Sequence, residues 1–350
     1  MIKSSNCAIF SDIHIGVHRD SDTWHRISLE WVKWFRDQLK ARDIQDIIFC
    51  GDFFHYRDSI ATNTLSHAAT ILNTLRDFNI VFIPGNHDCY YKDTSDINSL
   101  SILNGRDNIT VIEKITTTTT SEGRTIAFAP WGTSLKDIPE CDILFGHFEV
   151  ATFKLNNFKI CDHGFVAEDL YQKTPLTITG HFHLRSERII EGRTILYVGN
   201  PYQMDFGDLG DQKGIYFIDL NTGEYNFVKN DVSPIFQKLI LSEISEKMVS
   251  LEELSKRVKN NIVKLIIDRK ISTQDSDFLF KQIRALQPSV LDIEHDINFN
   301  CVIQDEDGRD FSGVDIEQAI TEFINIMDVS NKEPVVNYVL DLYKRSLQSV

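Results

Sequence analysis

Pro84-Gly85-Asn86-His87-Asp88 is the stretch from which the rest of the chain can be read. It follows an apolar run at residues 80–83 that predicts a buried β-strand. Proline and glycine then break the strand and turn the chain sharply. The turn presents a carboxamide, an imidazole and a carboxylate in succession. A buried strand has no packing use for that trio at its tip, whereas a metal-dependent hydrolase does. The Asn86 oxygen can bind a hard cation, His87 can give a proton, and Asp88 can orient the histidine. A plain surface turn would carry the same Asn and Asp, so the remainder of the chain decides.

The arrangement recurs. Apolar residues 7–10 run into Ser11-Asp12-Ile13-His14-Ile15-Gly16, and residues 47–50 into Gly51-Asp52-Phe53-Phe54-His55. Residues 143–145 run into Gly146-His147, and residues 176–179 into Gly180-His181-Phe182-His183. Four of the five endings carry glycine and the first carries serine. Chance supplies one or two such endings; five with metal-ligand side chains point to one shared site. In open α/β sheets, ligand sites gather at the carboxyl ends of strands. The glycines let the backbone turn and come close to an ion.

The candidate ligands are Asp12, His14, Asp52, Asn86, His147, His181 and His183. No cysteine is among them, which excludes the usual structural zinc site. Carboxylates, an amide and imidazoles suit manganese, iron or zinc at a catalytic site. The set is too large for one ion and right for two that share a carboxylate. Asp52, alone at its loop, is the natural bridge. Two ions hold both oxygens of an in-line phosphoryl displacement and activate water, so the expected target is a phosphoester. His87 adjoins Asn86 and is expected to point away from the ligands toward substrate. There it would stabilise the transition state or protonate the leaving oxygen, with Asp88 as its orienting partner. His55, three residues past Asp52, could contact the phosphate or leaving group. His18, His25, His67, His163 and His295 have no such context and read as surface or core.

The spacing of Trp24, Ile27, Trp31, Trp34 and Phe35 predicts a helix capped at Asp22 or Thr23. Its tryptophans would cover a sheet rather than stack on bases. Leu65, Ala68, Ala69, Leu72 and Leu75 predict a second helix, and residues 97–103 a short one. The threonines at 116–120 suit an edge strand or hairpin arm. Strands are expected at 125–129, before Pro201 and at 214–220. After Lys229 come expected strands at 235–241, 262–267 and 290–293 and helices at 251–258 and 278–286, without any glycine–ligand ending. Past Asp305-Glu306-Asp307-Gly308, one amphipathic helix carries Ile316, Ile320, Phe323, Ile324 and Met327. A last one starts at Pro334 and carries Val335, Val339, Leu340, Tyr343 and Leu347. The expected division is a ligand-bearing α/β domain at 1–228, a small α+β module at 229–300 and an acidic linker with a helix pair at 301–350.

A chain of 350 residues with 42% hydrophobic content builds real cores in two or three domains. The net charge of −15 argues against a free-standing DNA-coating protein. It suits a protein that collects cations in an acidic cleft or borrows basic surface from a partner. No secretory signal is expected, because Asp12 ends the first short apolar run. No run approaches membrane-spanning length. The six scattered cysteines read as free thiols in a reducing cytoplasm.

Asp12-x-His14, Gly51-Asp52, Gly85-Asn86-His87-Asp88, Gly146-His147 and Gly180-His181-x-His183, in this order, resemble the calcineurin-like metallophosphoesterase superfamily over about residues 6–220. Within it the chain looks like the SbcD type, the double-strand-break repair nuclease subunit and its phage relatives. Asp12-Ile13-His14-Ile15-Gly16, Gly51-Asp52-Phe53-Phe54-His55, Gly199-Asn200-Pro201 and Lys213-Gly214 carry that narrower likeness; Asn200 stands where the family often has serine. The resemblance implies an α/β four-layer sandwich, two central sheets flanked by helices, with a small α+β capping domain and C-terminal helices. It implies two Mn2+ ions (Mg2+, Fe2+ or Zn2+ as alternatives) and catalytic roles for His55 and His87. It implies 3′-5′ exonuclease and endonuclease activity at DNA ends during repair or recombination, in a phage- or bacterium-like cytoplasm. It also implies a homodimer, with the contact expected in residues 61–103, and an SbcC-type coiled-coil ATPase partner. The two C-terminal helices are too short to bury both stripes against each other. They are expected either to pack on the capping domain or to dock in a groove of that partner.

Two other functions compete. A phosphatase or cyclic-nucleotide phosphodiesterase could use the same fold, although protein phosphatases of the superfamily carry Asp and Arg where this chain has His55 and Tyr56. A non-catalytic DNA-end scaffold need not keep seven ligands plus His87.

Overall fold

Strand β1 (Asn6–Phe10) shows how the layers arise. Its side chains alternate between faces, and from Cys7 onward all are buried. Cys7 and Ile9 enter one core, Ala8 and Phe10 another. A strand buried on both faces must lie inside a stack. The computed structural model describes residues 2–155, 159–246, 249–269, 271–295 and 332–348, with single positions at 320, 321 and 324.

In the first sheet β1 runs parallel to β2 (Asp46–Phe49), which is followed in parallel by β3 (Asn79–Phe82) and β4 (Ile109–Val111). On its other side β11 (Gly214–Asp219) and β12 (Tyr225–Lys229) add antiparallel. The second sheet holds β5 (Thr116–Thr119), β6 (Thr125–Ala129), β7 (Ile143–His147), β8 (Leu176–Gly180), β9 (Ser186–Ile190) and β10 (Arg193–Tyr197) in the order β5-β6-β7-β8-β10-β9. Its four inner strands are parallel and its edges antiparallel. The threonine tract is one of those edges.

Ile9, Ile48 and Val81 of the first sheet meet Phe128, Phe145 and Ile178 of the second. On the outer face of the first sheet, Phe10, Phe49 and Phe82 pack against Trp24, Trp31, Phe35 and Leu72 from helices Asp22–Ala41 and Thr62–Thr74. Trp31 and Phe35 stack at 5.2 Å, and Phe10 meets Trp31 at 5.1 Å. Truncating Trp31, fully buried here, would cost about 3–5 kcal/mol. Leu144 and Tyr197 on the far face of the second sheet pack with Leu170 of helix Ala167–Lys173. The result is an α/β/β/α sandwich.

A third sheet, β13 (Phe236–Ile240), β14 (Ile262–Ile267) and β15 (Val290–His295), is wholly parallel with β14 in the centre. Helices Leu251–Val258 and Thr273–Ala285 help build its separate core of Leu239, Val258, Val263, Leu265 and Ile283. Phe236 and Ile262 instead enter the helix-side core of the first sheet and seat the module there.

Some boundaries differ from the sequence reading. Helix Asp22–Ala41 is preceded by Ser21, with no side-chain cap, so Asp22 serves the first turn as a charge facing the helix dipole. The helix expected from 278 starts at Thr273, because the Ser272 hydroxyl accepts the Asp275 N–H. The residues expected as a short helix near 97–103 form a 3₁₀ turn at Ser99–Leu103. The last helix spans Lys332–Gln348, with Pro334 in its first turn. Cys301, the acidic loop at 305–308 and most of the helix expected at 316–327 lie outside the described residues; Ile324 is buried. The other five cysteines are free, four of them buried. Among the described residues no helix is long and apolar enough to cross a membrane.

Candidate metal centre

The carboxyl ends of β1, β2, β3, β7 and β8 converge, and the loops that leave them are laced together. The N–H groups of Asp12, His14 and Ile15 donate to the carbonyls of Gly51, Asp52 and Phe53 at 2.9, 3.1 and 2.8 Å. Four candidate ligands sit in left-handed backbone, three of them in these laced loops: φ is 53° at Asp12, 46° at His14, 64° at Asp52 and, outside the lacing, 89° at His181. Residues with a Cβ rarely adopt that region, and such strain gathers at functional sites.

All seven expected ligands come together, in two groups. Asp12, His14 and His183 form one, with ligand atoms within 4.8 Å of one another. Asp52, His147 and His181 form the other on the same criterion. Asn86 Oδ1 joins the second group, 2.8 Å from His181 Nδ1 and 3.0 Å from His147 Nε2. Asp52 lies between the two. Its Oδ1 accepts the His87 N–H at 2.8 Å. Its Oδ2 stands 3.5 Å from His14 Nε2 and 3.4 Å from His147 Nε2.

Neighbours fix which nitrogens face inward. The Cys50 carbonyl, 2.6 Å from His147 Nδ1, can only accept, so that nitrogen carries a proton and Nε2 faces Asp52 and Asn86. Glu149 Oε1, 3.2 Å from His181 Nε2, likewise turns Nδ1 toward Asn86. Burial pushes His14 well below its ordinary value, against the pull of Asp52, and keeps it neutral. Burial opposes charge at Asp52 too, but the His147 charge and hydrogen bond outweigh it and hold the carboxyl well below its usual range. Burial would lower His147, yet Asp52 beside it brings it up to about 9. For His147 Nε2 to hold a cation, that nitrogen has to give up its proton. Inward-facing carboxylate, amide and imidazole atoms around one shared oxygen fit two divalent cations.

The strand-end glycines serve proximity more than turning. A Cβ on Gly85 would lie 2.2 Å from Asp52 Oδ1 and 2.4 Å from the Asp52 nitrogen. One on Gly51 would lie 2.2 Å from His147 Nδ1, and φ there is also +100°. Each glycine makes room for a ligand arriving from a neighbouring strand.

His87 stands beside the two groups and forms with His55 and His14 a third cluster whose nitrogens lie within 4.8 Å of one another. Its Nδ1 donates to the His55 carbonyl at 2.6 Å, which leaves Nε2 as the free edge. The expected partner, Asp88, does something else. Its carboxylate accepts the backbone N–H groups of Asp52, Phe53, Phe54 and Gly85 at 2.9, 2.9, 3.1 and 3.0 Å. Burial and the Asp52 charge push this carboxyl upward, and the backbone donors oppose them. With both oxygens saturated and only 2% exposed, Asp88 staples the Asp52 loop to the turn after β3. It is therefore not the orienting group for His87. The His55 ring stacks 5.5 Å from that of His87 and, lowered to about 4 by burial and then by His87, is neutral.

Three contributors escaped the sequence reading. Glu149 lies two residues past His147, just beyond the end of β7, and reaches His181 Nε2 at 3.2 Å. Trp131 lies 5.1 Å from the His181 ring, its indole N–H fixed on the Lys92 carbonyl at 2.7 Å. It walls a cavity of about 410 Å³ shared with His147, Phe148, Glu149 and Phe165. Lys213, 3% exposed, donates to the His183 carbonyl at 2.7 Å. Among histidines read as bland, His163 lies 3.4 Å from Glu149 at the rim, whereas His25 and His67 stack at 4.6 Å between the two long helices.

Comparison with known proteins adds to this geometry. The profile of the family described as Calcineurin-like phosphoesterase matches residues 6–205. Exonuclease subunit 1 of Enterobacteria phage T4 is 28% identical over 307 residues, 79% of this chain and 88% of that protein. Uncharacterized protein R555 of Acanthamoeba polyphaga mimivirus is 21% identical over 295 residues, and the match spans only 22% of its length. Two solved structures are similar: a dimetal phosphatase from Danio rerio (TM-score 0.45, 11% identity, 64% of this chain and 95% of that one) and an archaeal phosphodiesterase (TM-score 0.36, 13% identity, 64% and 99%).

Proposed function

The chain belongs to the calcineurin-like phosphoesterase family, and from that premise we propose that it is a two-metal DNA nuclease of the SbcD type. The observation that carries the reading is Asp52 Oδ2, placed between two ligand groups, with the free edge of His87 beside them. The phage relative, named as an exonuclease, supports DNA as the substrate. Two cations, manganese by preference, would be held by Asp12, His14 and His183 on one side and by Asn86, His147 and His181 on the other. When bound they supply Lewis acidity and water activation.

The chain's own residues do the rest. Asp52 sets the spacing between the halves. Asp88 keeps the Asp52 loop in its strained form. The His55 carbonyl anchors His87 through its Nδ1–H, so that Nε2 faces the leaving oxygen and, when it carries the second proton of the imidazolium, can donate it there. His55, neutral, lines the same edge.

Action at DNA ends during double-strand-break repair or recombination, by 3′-5′ exonuclease and endonuclease cleavage, is part of this reading. So are a cytoplasmic site of action, a homodimer and an SbcC-like ATPase partner. Exposed Leu65, Tyr90, Tyr91, Ile97 and Ile102 support the dimer contact in 61–103. Exposed Tyr338 and Leu342, one turn apart on the last helix, support docking of that helix on the ATPase. The test compares linear duplex DNA, bis-p-nitrophenyl phosphate and p-nitrophenyl phosphate as substrates with Mn2+. Cleavage of the DNA and the diester but not the monoester is expected. Preference for the monoester would make the chain a phosphatase, and no hydrolysis with both ions bound would make it a scaffold.

A further inference from the structure

Between the last ligand and the three-stranded module runs a segment that the catalytic reading leaves unused, residues 199–213. Its contacts toward the metal centre are selective. Lys213 Nζ donates to the carbonyl of His183 at 2.7 Å and to Asp208 Oδ1 at 2.6 Å. Asp208 Oδ2 in turn accepts from Asn200 Nδ2 at 3.0 Å and from the Met204 N–H at 2.8 Å. Asp211 Oδ2 lies 3.3 Å from the same ammonium. The Tyr202 hydroxyl, buried, donates at 2.7 Å to the carbonyl of Ile13, the residue between Asp12 and His14.

The opposite side of the same segment carries the module. Gln203 Oε1 accepts the N–H of Phe236, first residue of β13, at 2.7 Å. The Phe206 and Phe236 rings meet at 4.7 Å. Asn230 Nδ2 donates to the Pro201 carbonyl at 2.9 Å.

We infer that Lys213 and Tyr202 are positioning residues for the ion held by Asp12, His14 and His183, and that residues 199–213 transmit the seat of the three-stranded module to that ion in preference to the other. The inference rests on the two-metal reading and adds an asymmetry to it. The other three ligand side chains are held by other groups: His147 by the Cys50 carbonyl, His181 by Glu149, and Asn86 by the turn that Asp88 staples; the halves touch where the Asp12 carboxylate accepts the His181 N–H at 3.2 Å. Hydrogen-bond partners around a ligand change metal affinity about 10–100-fold when removed; Lys213 and Tyr202 are such partners of the backbone that carries His183, Asp12 and His14. A shift of the module that loosened Lys213 or Tyr202 would therefore weaken one ion and leave the second in place.

Mn2+ titration of the full chain by calorimetry, with electron paramagnetic resonance on the same samples, tests this. The wild type is expected to bind two ions with a coupled two-ion spectrum. In Lys213→Met and Tyr202→Phe one site weakens at least tenfold and a single-ion spectrum remains at limiting metal. Assignment comes from doubles: Tyr202→Phe lowers Mn2+ affinity further in a His181→Gln background and has no added effect in a His183→Gln background. If Lys213→Met fails to fold, Tyr202→Phe, which loses one hydroxyl, decides by itself. Equal weakening of both sites, or none, overturns the inference and leaves the two-metal reading standing. A wild type that binds one ion overturns both.

Discussion

Replacing Asp88 with alanine leaves four backbone N–H groups without an acceptor: those of Asp52, Phe53, Phe54 and Gly85. The residue is 2% exposed, so bulk water does not reach them. A buried, unsatisfied N–H costs about 1–3 kcal/mol. Water entering the space of the lost carboxylate recovers part of that, and a net loss of about 4 kcal/mol is expected. For a domain of this size that lowers the melting temperature by about 8 °C or more. The assay is thermal unfolding of the chelator-treated chain, followed by Mn2+ titration at a temperature where the variant remains folded. Both ions should be weakened, because the released loop carries Asp52. Asp88→Asn keeps one carbonyl oxygen and should lie between the two. A variant that melts within about 2 °C of the wild type, binds Mn2+ normally and has lost activity would refute this reasoning and return Asp88 to the role of orienting His87.

His87→Ala should lower cleavage of a phosphodiester at least 100-fold while Mn2+ stoichiometry stays at the wild-type value, because the two-ion reading gives the cluster of His14, His55 and His87 no ion of its own; loss of both ions would make it a ligand. Gly85→Ala should abolish Mn2+ binding and lower the melting temperature, since its Cβ would meet the Asp52 nitrogen, an atom of the backbone, at 2.4 Å; a well-bound, active variant would show that the loops are slack. Stability should also fall as pH drops from about 6.5 to about 4 through His67, which burial and then His25 hold down at about 4. The unfolded chain takes up that proton first, so the contribution is complete above the unfolded value and gone below the folded one. Discounted for its partial exposure, the effect is about 1–2 kcal/mol. It should be absent in His67→Gln and appear in full in the wild-type-minus-variant difference measured by urea unfolding across that range.

What the sequence could and could not show divides along physical lines. The inner strands were legible because burial on both faces writes a continuous apolar run, as in residues 47–50 and 143–145, and because each run stops at a small residue followed by a polar one. Strands β4, β9 and β12 were not. They are half-exposed, and at β9 polar Ser186, Glu187 and Arg188 mask the strand pattern, so their pairing is set by the sheet they join. The seven candidate ligands, which the structure brings together, could be picked out because their residue types have no role in a core. Their left-handed backbone could not, since nothing local asks Asp12 or His14 for positive φ; the lacing to residues 51–53 imposes it. The role of Asp88 was misread for a related reason. Adjacency to His87 counts for little in a turn, where the carboxylate lies under a loop 34–36 residues away in sequence. Lys213 and Tyr202 act on peptide carbonyls, and no sequence pattern marks a side chain that reaches a distant backbone.

The central claim is that one carboxylate couples two ions for cleavage of DNA. Its most direct test is the initial rate of nucleotide release from end-labelled linear DNA, measured against Mn2+ concentration for the wild type and for Asp52→Ala. The account predicts that the wild-type rate depends on metal with an order above one, is abolished by chelator, and is absent in Asp52→Ala at every concentration. Release that persists in chelator, or an Asp52→Ala rate restored to wild type by added Mn2+, would contradict it.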